Sequence, residues 1–161
     1  LKNKNMEKKN YHYYFSFVKT LERAKNIPLL LMRLVLAYGF YGPAMMKWHH
    51  IHNVTGMFTE IGIPMPHFSA YLVATTETFG AVLLLLGLGA RLISIPLMIV
   101  MIVAITTVHW ANGFQVGNNG FEIPLYYLIM LFTLFIYGPG KISFDTLVKR
   151  GQYTNELPSL D

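Results

Sequence analysis

Cysteine is absent from the 161 residues. That absence removes disulfides, thiol nucleophiles, iron–sulfur clusters and cysteinyl zinc sites from the available chemistry. Charge is scarce as well: 13% of residues are charged and 53% are hydrophobic, too apolar a balance for an ordinary soluble globule. Of 13 Lys and Arg residues, only Arg33, Lys47 and Arg91 lie between Pro28 and Pro139. No nucleotide-binding glycine fingerprint is present, so any electron transfer requires a bound group or a partner's cofactor. The net charge of +5 could suggest nucleic acid. However, the basic residues flank apolar runs, where they set topology and meet lipid headgroups instead.

What the chain does have is four apolar runs of membrane-spanning length. The first covers about Ile27 to Met46, with Pro28 near its start, and ends at the interface pair Lys47-Trp48. The connection from His49 to about Phe68 carries the turn signal Gly62-Ile63-Pro64-Met65-Pro66. The second span covers about Ser69 to Leu88. Gly87-Leu88-Gly89-Ala90-Arg91 then makes a hairpin so short that the third span, about Leu92 to Trp110, must run antiparallel beside the second. Ala111 to Gly120 reads as a loop, and the fourth span, about Phe121 to Tyr137, stops at Gly138-Pro139-Gly140. At about 1.5 Å per residue, runs of this length cross a hydrocarbon core of about 30 Å.

Charge counting orients these spans. The N-terminal segment, the Arg91 hairpin and the C-terminal tail hold all the Lys and Arg outside the spans' interiors except Lys47, so both termini are expected in the cytoplasm. The fold class expected is all-α, an antiparallel four-helix integral membrane bundle. Residues 1–26 form a basic, aromatic cytoplasmic segment, in which Tyr11 to Val18 could lie in the interface. Residues 27–140 form the transmembrane domain and residues 141–161 a polar cytoplasmic tail.

Helical spacing assigns the polar residues to faces. Arg33, Ala37, Phe40, Ala44 and Lys47 share one face of the first span, and Ala70, Ala74, Glu77 and Ala81 share one of the second. Small residues around a carboxylate let a neighbouring helix approach closely. Thr106 and His109 lie one turn apart, and Glu122, Tyr126, Thr133 and Tyr137 form a stripe on the fourth span. All four helices are therefore expected to turn a polar face inward. Depth gathers Lys47, Glu77, His109 and Glu122 in the outer half, below a loop carrying Asn112, Asn118 and Asn119.

Each of these residues has a structural and a functional reading. An unpaired charge near mid-bilayer costs a few kcal/mol or more, so Glu77 needs Lys47 or Arg33 as partner, a bound proton or a wet cavity. Arg33 is either a snorkelling cation or a partner of Glu77. Lys47 is a rim anchor or a ligand donor, His109 an interfacial or a functional imidazole, and Glu122 a helix-terminal acid or a functional one. His49, His50 and His52 lack the one-face spacing of a helical metal pair. The nine methionines are scattered as ordinary packing residues, and no metal is expected.

Taken together, Arg33-Leu34, Gly42, Lys47, Gly62-Ile63-Pro64, Glu77 with Gly80, Gly87-Leu88-Gly89-Ala90-Arg91 and His109-Trp110 resemble the DoxX family of small bacterial four-helix membrane proteins. The resemblance spans about Pro28 to Tyr137. It implies a protein of the bacterial cytoplasmic membrane, often labelled an oxidoreductase or oxidoreductase subunit. Some relatives are linked to thiosulfate oxidation with quinone as acceptor, others to quinone or thiol stress. The resemblance carries over Arg33, Lys47, Glu77 and His109 as recurrent polar positions without a catalytic step for any of them. The segment His109 to Phe114, with Asn119 to Glu122, is similar to a branch other than the thiosulfate-oxidising subunits.

Two functions follow. In the first, the chain is a membrane component of a redox or stress-response system. Glu77 and His109 are its catalytic candidates, Arg33, Lys47, Asn112 and Glu122 bind ligand, and quinone is the cofactor considered. In the second, it is a non-catalytic scaffold that anchors a partner encoded nearby or a peptide-modifying enzyme. Partners expected in either case are the lipid bilayer and a second protein, not nucleic acid.

Overall fold

The computed structural model describes residues 24–148, together with Val18, Lys19 and Leu21. The Tyr11–Phe17 patch and the tail beyond residue 148 lie outside the described residues. Those described contain helices and no strands. Helix α1 covers Asn26–His49, α2 Ile51–Glu60, α3 Pro66–Leu86, α4 Ala90–Ala104 and α5 Glu122–Tyr137. A π turn, Ile105–His109, and a 3₁₀ turn, Trp110–Asn112, continue α4.

Three of these elements are long and apolar enough to cross a membrane: Asn26–His49, Pro66–Leu86 and Ala90–Asn112. Helix α5 is apolar but only 16 residues long, about 24 Å at 1.5 Å per residue. The outer surface confirms what kind of solvent these helices expect. Leu92 is 76% exposed, Phe79 61% and Phe132 56%, side chains that a water-facing helix surface would not repeat on every element.

Helix α1 packs on α3, α3 on α4, α4 on α5, and α5 touches α1. The core sits between them and is built from Leu36, Phe40, Leu84, Leu97, Leu131 and Leu134. Close approach depends on the small residues of α3: Ala70, Ala74, Gly80 and Ala81 are all buried. A Cβ on Gly80 would sit 2.8 Å from the Leu97 side chain, so glycine there sets the α3–α4 distance.

The connection read as a loop from His49 to Phe68 contains helix α2. Ile51, Val54, Phe58 and Ile61 recur at helical spacing, and Val54 and Phe58 bury against Ala70 of α3. The apolar stripe outweighs the neighbouring turn residues. Two other expectations are corrected. The stripe Glu122, Tyr126, Thr133 and Tyr137 does not form the inward face: Tyr126 and Tyr137 are 44% and 70% exposed and Glu122 and Thr133 are half-buried, while Leu131 and Leu134 form the buried face of α5. Thr106 is exposed and bonds back to the Ile102 carbonyl at 2.9 Å; Ser94, Leu97 and Met101 face inward from α4.

The hairpin between α3 and α4 is tight because Gly87 and Gly89 both adopt positive φ, +69° and +54°. Gly87 is further confined, since a Cβ on it would lie 2.6 Å from the Arg33 guanidinium. Gly87→Ala therefore meets backbone strain and a clash with a side chain that has nowhere to go. We expect a loss of about 2–3 kcal/mol, read as a lower thermal midpoint in detergent; an unchanged midpoint would show that Arg33 can move.

Candidate functional site

Lys47 and Glu77 form a buried ion pair between α1 and α3. The ammonium lies 2.8 Å from Oε2 and 3.0 Å from Oε1 of Glu77. The Lys47 side chain is 14% exposed and that of Glu77 3%. Their meeting follows from helix geometry. Side chains lean toward the N-terminus of their own helix, so Lys47 reaches back from the end of α1 into the bundle, and Glu77 on the opposed helix reaches out to meet it. Beside the pair, Trp48 Nε1 donates to Thr78 Oγ1 at 2.9 Å, and Trp48 packs edge-on against Tyr71. An ammonium has three N–H donors; two go to Glu77, which leaves one.

Arg33 pairs with neither Glu77 nor lipid. It is 2% exposed and donates to four backbone carbonyls: Leu84 at 2.9 Å, Leu85 at 3.2 Å, Pro139 at 2.9 Å and Ile142 at 2.7 Å. The last carbonyls of a helix have no intrahelical partner and carry the negative end of its dipole. One guanidinium thus satisfies the C-terminal end of α3 and the chain just past α5. Asp145 completes this end by accepting the Gly89 N–H on both carboxylate oxygens, at 3.0 and 3.1 Å. The beginning of the tail, expected as a polar appendage, is in fact folded against the bundle through Ile142 and Asp145.

His109, Asn112 and Glu122 belong to a third arrangement, around the loop between α4 and α5. The carbonyl of Asn119 meets His109 Nδ1 at 2.8 Å and accepts from Asn112 Nδ2 at 3.2 Å. Asn119 itself is left-handed, with φ +58°, a conformation asparagine tolerates better than most residues. Glu122 accepts the Val116 N–H at 3.0 Å and the Tyr126 hydroxyl at 3.1 Å. Trp110 stacks on Phe121 with centroids 5.4 Å apart. His109→Ala should loosen this loop without unfolding the bundle. Faster hydrogen exchange confined to residues 113–121 is the expected result, and unchanged exchange there would show that the imidazole does not hold the loop.

The structure thus separates the group that depth reasoning gathered. Lys47 and Glu77 bond to each other, and His109, Asn112 and Glu122 bond within their own loop; among the described residues no hydrogen bond or salt bridge joins the two sets. A cavity of about 870 Å³ opens instead at the Arg33 end, lined in part by Lys25, Arg91 and Lys141. Among the described residues no group of three or more His, Asp or Glu could hold a metal ion; His49 ends α1, His50 lies between helices and His52 is on α2. Sequence reasoning missed the π turn that carries His109 and the side chains of Asn26 and Asp145, which tie the tail to α1 and α4.

Three membrane-length helices and an ion pair buried between two of them define an all-helical membrane protein. The DoxX family profile matches residues 28–110, just over half of the chain. A protein of Haemophilus influenzae (strain Rd), carried as "Uncharacterized protein", is 31% identical over 132 residues, which are 77% of this chain and 85% of that protein. The chain belongs to the DoxX family. A Bacillus subtilis (strain 168) protein named "Putative oxidoreductase CatD" is 28% identical over 134 residues, 82% of this chain and 95% of its own length. No solved structure matches significantly.

Proposed function

We propose that this chain is a membrane component of a redox or stress-response system, working through the Lys47–Glu77 pair. The observation that carries this reading is a buried Glu77 carboxylate paired with the largely buried Lys47 ammonium between α1 and α3. Ion pairs so placed add little net stability compared with apolar residues of similar volume, and ionisable groups within spans mark ligand or proton sites by default. The remaining N–H of Lys47 suits a carbonyl oxygen such as a quinone's. Glu77, directly behind it, is placed to give or take a proton. A quinone, when bound, supplies the electron chemistry for which the chain has no group of its own. The name of the Bacillus relative supports an oxidoreductase system.

In this reading the bundle has four crossings in the bacterial cytoplasmic membrane. The helix ends at Lys25, Arg91 and Lys141 face the cytoplasm under the positive-inside rule. The short α5 crosses where the bilayer thins slightly or where its flanking aromatic residues enter the interface. A scaffold for a partner protein is the second reading, and one observation favours it: Arg33, His109, Asn112 and Glu122 all spend hydrogen bonds on the chain's own backbone.

Complementation separates the two. In a deletion strain challenged with quinone or thiol oxidants, Glu77→Gln, whose amide oxygen still accepts from the Lys47 ammonium as leucine cannot, should accumulate in the membrane yet fail to restore growth. Full restoration by that variant would remove the pair from the chemistry.

A further inference from the structure

The cavity at the Arg33 end is unused by the function proposed above, and its lining has two characters. Lys25, Arg91 and Lys141 supply three positive charges, while Leu29, Met32 and Leu92 supply apolar surface. Asp145 is the acid of this lining, and both of its oxygens are engaged by the Gly89 amide. Arg91 gives one N–H to the Ile136 carbonyl at 3.2 Å, which pins the guanidinium across the end of α5 and leaves further donors of its five. The balance of the lining's formal charges is positive.

The position of the cavity matters as much as its charge. Here α1 and α4 begin and α3 and α5 end, so the boundary between hydrocarbon and headgroup falls across it. Leu31 and Ile136 nearby are 55% and 51% exposed. Just beyond, Ile142 exposes 54% of its surface, and Phe144, Leu147 and Val148 on the short helical turn that follows expose 48%, 61% and 56%. Such a surface suits the plane of the interface.

We propose that this cavity binds one anionic phospholipid. Its phosphate would lie among Lys25, Arg91 and Lys141, and its acyl chains over Leu29, Met32 and Leu92. Charge complementarity selects the headgroup, since basic pockets between spanning helices hold anionic lipids. The apolar floor selects a lipid over a soluble anion, which would gain nothing from it. The inference does not depend on the chemistry of Lys47 and Glu77.

The test uses the full chain in detergent, with phosphatidylglycerol, phosphatidylcholine of the same acyl chains, and water-soluble glycerol phosphate as separate additions. Phosphatidylglycerol is expected to raise the thermal midpoint and to remain bound in native mass spectra as one molecule per chain. Phosphatidylcholine and glycerol phosphate should do neither. Each cation near an anionic headgroup strengthens binding about fivefold, so Lys25→Gln/Lys141→Gln should weaken the phosphatidylglycerol complex roughly 25-fold. The lipid-free midpoint should stay in place, and Lys19→Gln, outside the cavity, should bind as the unmodified protein does. An equal response to phosphatidylcholine, a full response to glycerol phosphate, or undiminished binding by the double variant would each overturn the proposal. The headgroup comparison is made on the unmodified protein, so it decides the matter even if the variant does not fold.

Discussion

Arg33→Leu should remove folded protein from the membrane rather than slow any reaction. The guanidinium is buried and donates to four carbonyls, two from the last turn of α3 and two from the chain just past α5. A hydrogen bond from a charged donor contributes about 1.5–3 kcal/mol, and a buried carbonyl left without a partner costs about 1–3 kcal/mol. These do not add simply, because the carbonyls share one donor group, but a loss of at least about 4 kcal/mol follows. That is a large part of the roughly 5–15 kcal/mol by which folded domains are stable. Arg33→Lys should recover only part of it. A lysine ammonium is a point donor with three N–H groups, and it cannot span carbonyls that a planar fork reaches from several sides. Membrane-fraction yield and thermal midpoint in detergent check both variants. Arg33→Leu at normal yield and midpoint would show that water satisfies these carbonyls as well as arginine does.

The second large effect concerns Lys47 and Glu77, and it takes the form of a cycle. Removing one partner leaves the other charge in an apolar interface, a loss of about 3–5 kcal/mol for Lys47→Met or Glu77→Leu alone. Removing both restores neutrality and fills similar volume, so Lys47→Met/Glu77→Leu should lie within about 1–2 kcal/mol of the unmodified protein. If the double variant is as unstable as either single one, then the site needs polarity for a reason other than pairing. The stable double variant also tests function cleanly. A protein that folds, inserts and fails to complement would assign the pair to chemistry; one that complements would assign it to structure and favour the scaffold.

Much of this architecture is legible in the chain. Arg33, Ala37, Phe40 and Ala44 share a face by spacing alone, and the structure buries all of them. Ala70, Ala74, Glu77 and Ala81 do the same on α3. The two faces had to meet, because a carboxylate among small residues invites a close neighbour. The stripe on α5 misled because tyrosine and threonine count as polar in a pattern, yet a tyrosine ring is at home at a lipid interface. Arg33's partners were illegible for a different reason. A backbone carbonyl is present at every residue, so a side chain that binds one leaves no complementary residue type to find. The same holds for Asn119, whose carbonyl joins His109 to Asn112.

Composition and spacing by themselves determined that this chain lives in lipid, where its hairpin turns, and which faces of the first two spans look inward. These follow from solvent and helical period, which are local properties of the chain. Only the tertiary structure decided that Glu77 takes Lys47 rather than Arg33, that Arg33 ties the end of α3 to the chain past α5, and that a cavity opens at the Arg33 end. Those outcomes depend on which groups distant in sequence come within about 3 Å of one another. Several charge pairings satisfy the pattern equally, and packing admits one.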